Sequence, residues 1–217
     1  MPIRFFEPDR WARFMYPRTL IFLGILTLSL VLLSFLVRAR WTLPLDLKAT
    51  LTLQRWTSPF VDGMMRWLTW MGNSLTVVIL AIACAALAAF FKDLRAALFI
   101  CLTLLSLPIN ILVKNIFDRE RPGEHEVKVH PGPRWGFSYP SGHSMGSAAF
   151  YGFLAVLVFL HIPDSRIRWA MMTPFILLPF AVGVSRIYMG AHWLSDVVGG
   201  ITGGVILISI MTVLYPV

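Results

Sequence analysis

Residues 19–37 read TLIFLGILTLSLVLLSFLV, a run that contains no charged side chain and is bounded by Arg18 and Arg38. Because an α-helix rises 1.5 Å per residue, a run of this length spans roughly the 30 Å hydrocarbon core of a bilayer. A cleavable signal peptide has a shorter apolar region that ends at a small-residue cleavage site, and this run lacks both features. It therefore predicts a retained transmembrane helix.

Five more apolar runs of similar length follow, and polar segments separate them. They cover residues 75–91, 96–113, 145–160, 169–184 and 197–214. Six such runs are typical of a polytopic membrane protein, which needs an apolar exterior as well as an apolar interior. The pattern predicts an all-α fold, a six-transmembrane-helix bundle that forms a single integral-membrane domain over residues 1–217.

The amino-acid composition excludes several classes of protein. Of the 217 residues, 57% are hydrophobic and 14% are charged, against about 25% charged in an ordinary globular domain. This excludes a disordered chain and a disulfide scaffold, and we expect Cys84 and Cys101 to pack within apolar runs. The net charge of +8 would suggest nucleic acid in a soluble protein, but the basic residues form no basic helix or stripe. We expect anionic lipid headgroups as partners, and no nucleic acid.

The segment between the first two runs, residues 41–73, reads neither as a span nor as a plain loop. Its four tryptophans are Trp41, Trp56, Trp67 and Trp70. Indole rings favour the headgroup level of a bilayer. A helical spacing places Met64, Trp67, Leu68 and Met71 on one face. We predict interfacial helices here, and the alternative is a helix that also walls an entrance for lipid.

Lysine and arginine in the short polar segments predict the orientation. Cytoplasmic segments of membrane proteins are rich in these residues. Residues 1–18, 92–95 and 166–168 are basic and share one side of an alternating bundle, so we assign that side to the cytoplasm. This predicts a multi-pass protein of the cell (cytoplasmic) membrane in which the segments 38–74 and 114–144 face the extracytoplasmic side.

Glycines in two of the runs predict close helix packing. The sixth run contains Gly199, Gly200, Gly203 and Gly204, and the fourth begins near Gly142 and Gly146. Small residues let membrane helices approach closely. The sequence leaves open whether the same glycines also join two copies of the chain.

An unusual set of polar residues stands at the ends of four runs. Lys114 and Arg121 follow the third run, Ser141, Gly142 and His143 open the fourth, Arg186 closes the fifth, and His192 and Asp196 open the sixth. Because successive spans alternate in direction, these four ends meet on one face of the bundle. Ionisable residues at such positions are functional-site candidates, since removing their charge from water is costly.

The chemistry of this set favours phosphate. Guanidinium groups pair with phosphate oxygens in two parallel hydrogen bonds, and an ammonium adds a point charge. A helix that begins near Ser141 would add free N–H groups and the positive end of its dipole. We therefore expect a phosphate cradle that holds no metal and needs no cofactor. A metal site at His125 and His130 is disfavoured against a solvated loop. Arg119 and Arg134 are expected to face water, and the alternative is that they add positive field for an incoming headgroup.

Two histidines and one carboxylate supply the reactivity. His192 and Asp196 are four residues apart, which places them on one face of a helix. The carboxylate then orients one ring nitrogen and leaves the other free as a nucleophile. His143 is positioned to protonate the leaving group. The set predicts a phosphohistidine intermediate that water hydrolyses.

Three motifs carry a resemblance to a known family. Residues 114–122 read KNIFDRERP, residues 140–143 read PSGH, and residues 185–196 read SRIYMGAHWLSD. In this order and spacing they closely resemble the membrane lipid phosphatase branch of the type 2 phosphatidic acid phosphatase (PAP2) superfamily, with the motif region covering 114–196.

The resemblance implies Mg²⁺-independent hydrolysis of lipid phosphates or diphosphates by a PAP2-type lipid phosphatase. It implies that His192 is the nucleophile, Asp196 its partner and His143 the acid. It also implies phosphate binding by Lys114, Arg121, Ser141, Gly142 and Arg186. Candidate substrates are undecaprenyl diphosphate, phosphatidic acid, phosphatidylglycerol phosphate and lipid A phosphates, and an external site favours the polyprenyl diphosphate. The alternatives are a lipid phosphotransferase that uses the same site and, less favoured, a non-enzymatic lipid-binding or transport protein.

Overall fold

The structure, a computed structural model, describes residues 8–132 and 134–215, with side chains from residue 18 onward. All regular secondary structure in the described part is helical and none is β-strand, which confirms the prediction of an all-α fold. Its helices are α1 (Pro8–Arg38), α2 (Leu43–Gln54), α3 (Pro59–Met71), α4 (Ser74–Phe90), α5 (Leu94–Leu102), α6 (Ser106–Phe117), α7 (Gly142–His161), α8 (Ser165–Tyr188) and α9 (Leu194–Leu214). A 3₁₀ turn at Thr103–Leu105 joins α5 to α6.

Five helical segments are long and apolar enough to cross a membrane. They are Arg18–Arg38, Leu94–Phe117, Gly142–His161, Ser165–Tyr188 and Leu194–Leu214. The predicted second span corresponds to α4, which follows α3 across a bend of 53° at Gly72 and Asn73. Counted as one broken span, this pair raises the number of candidate spans to six. The chain is thus a multi-pass membrane protein.

The outer surface of the bundle is apolar. On α1, the side chains of Ile21, Leu28 and Phe35 are each more than 60% exposed. An exposed apolar stripe of this length would be unfavourable in water, whereas lipid tails cover it without cost.

Helix α7 lies at the centre of the bundle, where it packs against α8 and α9. Phe150 and Phe153 are almost completely buried, and the ring of Phe153 stacks on Phe99 of α5 at 6.0 Å between centroids. The Tyr151 hydroxyl donates to the carbonyl of Met71 at 2.8 Å, which ties α7 to the end of α3. The aromatic residues in the middle of α7 therefore pack the core of the bundle, whereas small residues occupy the N-terminal part of this helix.

Segment 41–73, where interfacial helices were predicted, contains α2 and α3. Of the expected face on α3, Met64 and Trp67 are exposed, and Leu68 and Met71 are half-buried. The Gln54 amide of α2 donates to the carbonyls of Lys128 and Tyr188, and its oxygen accepts from the Lys128 N–H. These bonds fasten α2 to the long loop before α7 and to the end of α8.

The expected glycine packing face lies between α7 and α9. A Cβ on Gly200 would come 2.5 Å from the Ser141 carbonyl oxygen, and one on Gly204 would come 2.7 Å from that of Met145. Both neighbours are backbone atoms of α7, so they cannot turn aside. At Gly203 the nearest atom is the flexible Met145 side chain at 3.5 Å, an ordinary contact.

We predict that Gly204→Ala destabilises the protein and Gly203→Ala does not. Overpacking a helix contact costs about 1–3 kcal/mol, and for a chain of this size each kcal/mol lowers the melting temperature by about 2–4 °C. Thermal unfolding of the purified variants in the same detergent measures the difference. Equal melting temperatures for the two variants would contradict this account of the α7–α9 contact.

Candidate active site

Four helix ends meet on one side of the bundle, as the alternation of spans predicted. Lys114 lies in the last turn of α6 and Arg186 in the last turn of α8. His143 lies in the first turn of α7, and Asp196 in the first turn of α9. The tight turn between α8 and α9 needs Gly190, because its φ is +63° and a Cβ on it would come 2.5 Å from the Lys128 carbonyl oxygen.

His192 precedes α9 and does not lie on it, so the expectation that it shares a helix face with Asp196 is wrong. Trp193 occupies the N-cap position, and its N–H donates to Asp196 Oδ2 at 2.8 Å. This local turn folds the chain back and places His192 Nδ1 3.5 Å from the same carboxylate oxygen. The two side chains therefore meet, but across the helix N-terminus.

The second ring nitrogen of His192 identifies the tautomer. Arg121 NH1 lies 3.1 Å from His192 Nε2. Because a guanidinium only donates hydrogen bonds, Nε2 must be the acceptor and the ring proton must lie on Nδ1. Nδ1–H then faces two acceptors at 3.5 Å, Asp196 Oδ2 and Ser138 Oγ. The lone pair of Nε2 is thus turned toward the cations of the site.

The surroundings of His192 keep it neutral. Its side chain is 2% exposed, and burial, followed by the positive charges of Arg121, Arg186 and Lys114, holds the pKa of His192 well below the usual value for histidine. A neutral imidazole among three cations is a nucleophile that an approaching anion can reach without electrostatic repulsion.

Asp196 is fully buried and is held by more partners than the sequence suggested. Ser138 Oγ donates to Asp196 Oδ2 at 2.5 Å, and Arg119 NH1 donates to Asp196 Oδ1 at 2.6 Å. The expectation that Arg119 faces water is therefore wrong. Its NH2 group pairs with Asp46 of α2 at 2.7 Å.

Asp46 is the second buried carboxylate of this cluster, at 1% exposure. Its Oδ1 accepts from the Ser195 N–H at 2.8 Å, and its Oδ2 accepts from the Ser195 hydroxyl at 2.7 Å. A carboxylate of α2 thus caps the N-terminus of α9. The only sequence signal for it was a single acidic residue in the apolar stretch LPLDL, 43–47.

Arg121 and Lys114 reach the same loop. Four backbone carbonyls accept from Arg121, namely those of Trp135, Gly136, Phe137 and Ala191. The Lys114 ammonium donates to the Phe137 carbonyl at 2.6 Å. The two cations therefore hold loop 135–137 beside His192, and a phosphate group would have to take over some of these donors.

The N-terminus of α7 faces the same region. Ser141 is fully buried, and its hydroxyl caps the helix by accepting from the Ser144 N–H at 3.4 Å and from the Ser144 hydroxyl at 3.0 Å. A Cβ on Gly142 would come 2.9 Å from Asn110 Oδ1. A side chain at this position would force the Asn110 amide to move, so Gly142 leaves room for that amide, whereas the sequence suggested close approach to a ligand.

A cavity of about 170 Å³ adjoins the site. His143 and Arg186 line it, and so do Arg66, His130 and Arg134. His130 and Arg134, which were expected in a solvated loop, are half-buried and line this cavity. Four of these residues carry a buried side-chain nitrogen with no hydrogen-bond partner among the described residues: His130 Nε2, Arg134 Nε, His143 Nε2 and Arg186 Nε. Buried polar groups ordinarily have partners, so this concentration of unpaired nitrogens, two of them arginine donors, favours an anionic ligand.

Two known proteins are similar to this chain in sequence. Phosphatidylglycerophosphatase B of Bacillus subtilis (strain 168) is 29% identical over 151 residues, covering 69% of this chain and 72% of that protein. Dolichyldiphosphatase 1 of Homo sapiens is 28% identical over 161 residues, covering 66% of each.

Two crystal structures share the fold. A transmembrane PAP2-type phosphatidylglycerolphosphate phosphatase from Bacillus subtilis matches with a TM-score of 0.80 and 24% identity, covering 88% of this chain and 94% of that one. LpxE of Aquifex aeolicus matches with a TM-score of 0.59 and 21% identity, covering 79% of this chain and 96% of that one. At these identities the similarity establishes the fold.

The family of the chain follows from its match to a family model. The family model of the PAP2 superfamily matches residues 94–217. This is more than half of the chain, and it includes all the residues of the three motifs. The chain therefore belongs to the PAP2 superfamily.

Proposed function

We propose that this membrane phosphatase removes a phosphate group from a lipid phosphate or diphosphate through a phosphohistidine formed on His192. The single observation that carries the proposal is the contact of 3.1 Å between Arg121 NH1 and His192 Nε2. It directs the Nε2 lone pair into a group of cations, which is where a nucleophile for phosphate must point.

The reaction has two steps. Nε2 of His192 attacks the phosphorus, the bond to the lipid oxygen breaks, and His143 gives a proton to the departing oxygen. Water then attacks the phosphohistidine, returns a proton to His143 and releases inorganic phosphate. Asp196 and Ser138 accept from Nδ1–H, which stabilises the positive charge that the ring gains when Nε2 bonds to phosphorus.

The remaining site residues hold the transferred phosphate. Lys114, Arg121 and Arg186 neutralise its oxygens, and Lys114 and Arg121 exchange their loop carbonyls for phosphate oxygens when it binds. Ser141 and Gly142 contribute the N-terminus of α7, whose free N–H groups and dipole favour an anion. Charge neutralisation by these residues replaces the role of a metal, so we expect no metal requirement.

The proposed arrangement in the membrane has six spans, with α3 and α4 forming the second. Residues 1–217 then form one integral-membrane domain, and α2 and the start of α3 lie at the interface. The basic segments 92–95 and 166–168 lie on the cytoplasmic side of the cell membrane, so the site opens on the extracytoplasmic face. A lipid headgroup at that depth reaches His192 while its tail stays among the spans.

The names of the similar proteins indicate the candidate substrates. They concern a phosphatidylglycerol phosphate in one case and a dolichyl diphosphate in the other. We therefore propose phosphatidylglycerol phosphate, phosphatidic acid and undecaprenyl diphosphate as the first panel to test.

Replacement of His192 tests its role as the nucleophile. We expect purified protein to release phosphate from at least one lipid of this panel in EDTA, and His192→Ala to lower kcat by about 1,000-fold or more. ³²P-labelled substrate should leave an acid-labile, base-stable label on the wild type and none on His192→Ala. His161→Ala is the matched control, because this exposed histidine ends α7 on the opposite side of the bundle.

Several outcomes would overturn this proposal. They are full activity of His192→Ala, a label on another residue, and a strict Mg²⁺ requirement. Transfer of the label to an acceptor lipid with little free phosphate would indicate a phosphotransferase instead.

Arg119 touches Asp196 but not the phosphate-binding residues, so its replacement tests the positioning of Asp196. We expect Arg119→Gln to lower kcat about tenfold or more while KM changes little, because the Asp196 carboxylate loses its buried cation. Arg119→Lys should retain more activity than Arg119→Gln. Steady-state kinetics per folded enzyme measure both, with Arg55→Gln, an exposed arginine after α2, as the control. A raised KM with unchanged kcat would contradict a positioning role.

A further inference from the structure

The cavity beside His143 has a charge that the hydrolysis of a simple phosphomonoester does not require. In a monoester such as phosphatidic acid the leaving group is a lipid alcohol, which is neutral once it has been protonated. Arg66, His130 and Arg134 nevertheless line this cavity together with Arg186, and none of its lining residues is acidic.

Arg134 and His130 are each anchored on one side and unpartnered on another, whereas Arg66 is exposed and donates from its Nε to the carbonyl of Asp62 in its own helix. Arg134 NH2 donates to the Pro122 carbonyl at 2.6 Å, while its Nε is buried without a partner among the described residues. The His130 ring stacks on Tyr188 at 5.3 Å between centroids, and its Nε2 is likewise buried without a partner. Arg186 is 3% exposed, and its Nε is unpartnered as well. Preformed donors of this kind favour an anionic ligand.

The position of the cavity assigns it to the leaving group. The proposed general acid, His143, must touch the oxygen that departs from phosphorus, and His143 lines this cavity. Its volume of about 170 Å³ is below the 300–1,000 Å³ of pockets that enclose a whole drug-sized ligand. A headgroup therefore fits, and the tail lies outside it, past the exposed Trp70 at the rim.

We infer that this cavity is a second phosphate subsite, formed by Arg66, His130 and Arg134, and that the preferred substrate is a lipid diphosphate. The inference rests on the proposed function of the site. Nε2 of His192 attacks the terminal phosphorus, and the bond from that phosphorus to the bridging oxygen breaks. The bridging oxygen leaves on the lipid monophosphate with a proton from His143. Water then cleaves the phosphohistidine, returns the proton and releases inorganic phosphate.

The test compares two substrates that share a tail, farnesyl diphosphate and farnesyl monophosphate, in the same detergent micelles. Initial rates of phosphate release should give the wild type a kcat/KM about tenfold or more higher for the diphosphate. Arg66→Gln and Arg134→Gln should each lower that value about tenfold and change the monophosphate value by less than about twofold. The two arginines lie on different segments, so a folding defect in one variant leaves the other informative.

The matched control is Arg166→Gln, which removes an arginine from the first turn of α8, at the opposite end of that helix from Arg186. It should leave both substrates unaffected. Equal or better hydrolysis of the monophosphate by the wild type would overturn the inference and leave the proposed function standing, and so would an equal loss for both substrates in the cavity variants. Release of phosphate from neither substrate would overturn both.

Discussion

The Asp196 carboxylate is fully buried in a protein whose exterior is apolar, and the arrangement of the helix ends depends on how its charge is compensated. A buried charge without partners is too costly to persist. The partners come from three parts of the chain: the Trp193 N–H in the adjacent turn, Ser138 in the loop before α7, and Arg119 after α6. Arg119 in turn requires Asp46, which draws in α2. One carboxylate thus holds four segments in register.

The orientation of His192 depends on the same buried carboxylate. With Asp196 fixed from several directions, Nδ1 of His192 meets acceptors on one side and Nε2 meets Arg121 on the other. The close contact of α9 with α7, through Gly200 and Gly204, keeps the N-terminus of α7 beside this pair. Catalytic geometry at a membrane surface is therefore set by backbone contact between spans as much as by the polar groups themselves.

Much of the fold could be predicted because a bilayer imposes long apolar runs, and the all-helical architecture and the meeting of four helix ends both follow from them. Residues within the three motifs could be identified because their spacing is local. The pair Arg119 and Asp46 could not, because the two residues are 73 positions apart and no periodicity links them. The bend at Gly72 and Asn73 was also invisible, since an apolar pattern does not record a change of direction.

The cavity residues illustrate the same limit. His130 and Arg134 stand in a polar loop, where a sequence reading favours exposure to water. Only the docking of that loop on α8, through the His130 N–H and the Met189 carbonyl at 3.1 Å, places them beside His143. Sequence patterns describe regular elements well and describe long loops poorly, because tertiary contacts position a loop and its own periodicity does not.

A structure of the protein with orthovanadate would show which atom attacks the phosphate, because vanadate adopts the five-coordinate geometry of phosphoryl transfer. We expect a bond between vanadium and Nε2 of His192, with Arg121, Lys114 and Arg186 on the vanadate oxygens. Vanadate bonded to His143, to Nδ1 of His192 or to any other residue would contradict this expectation.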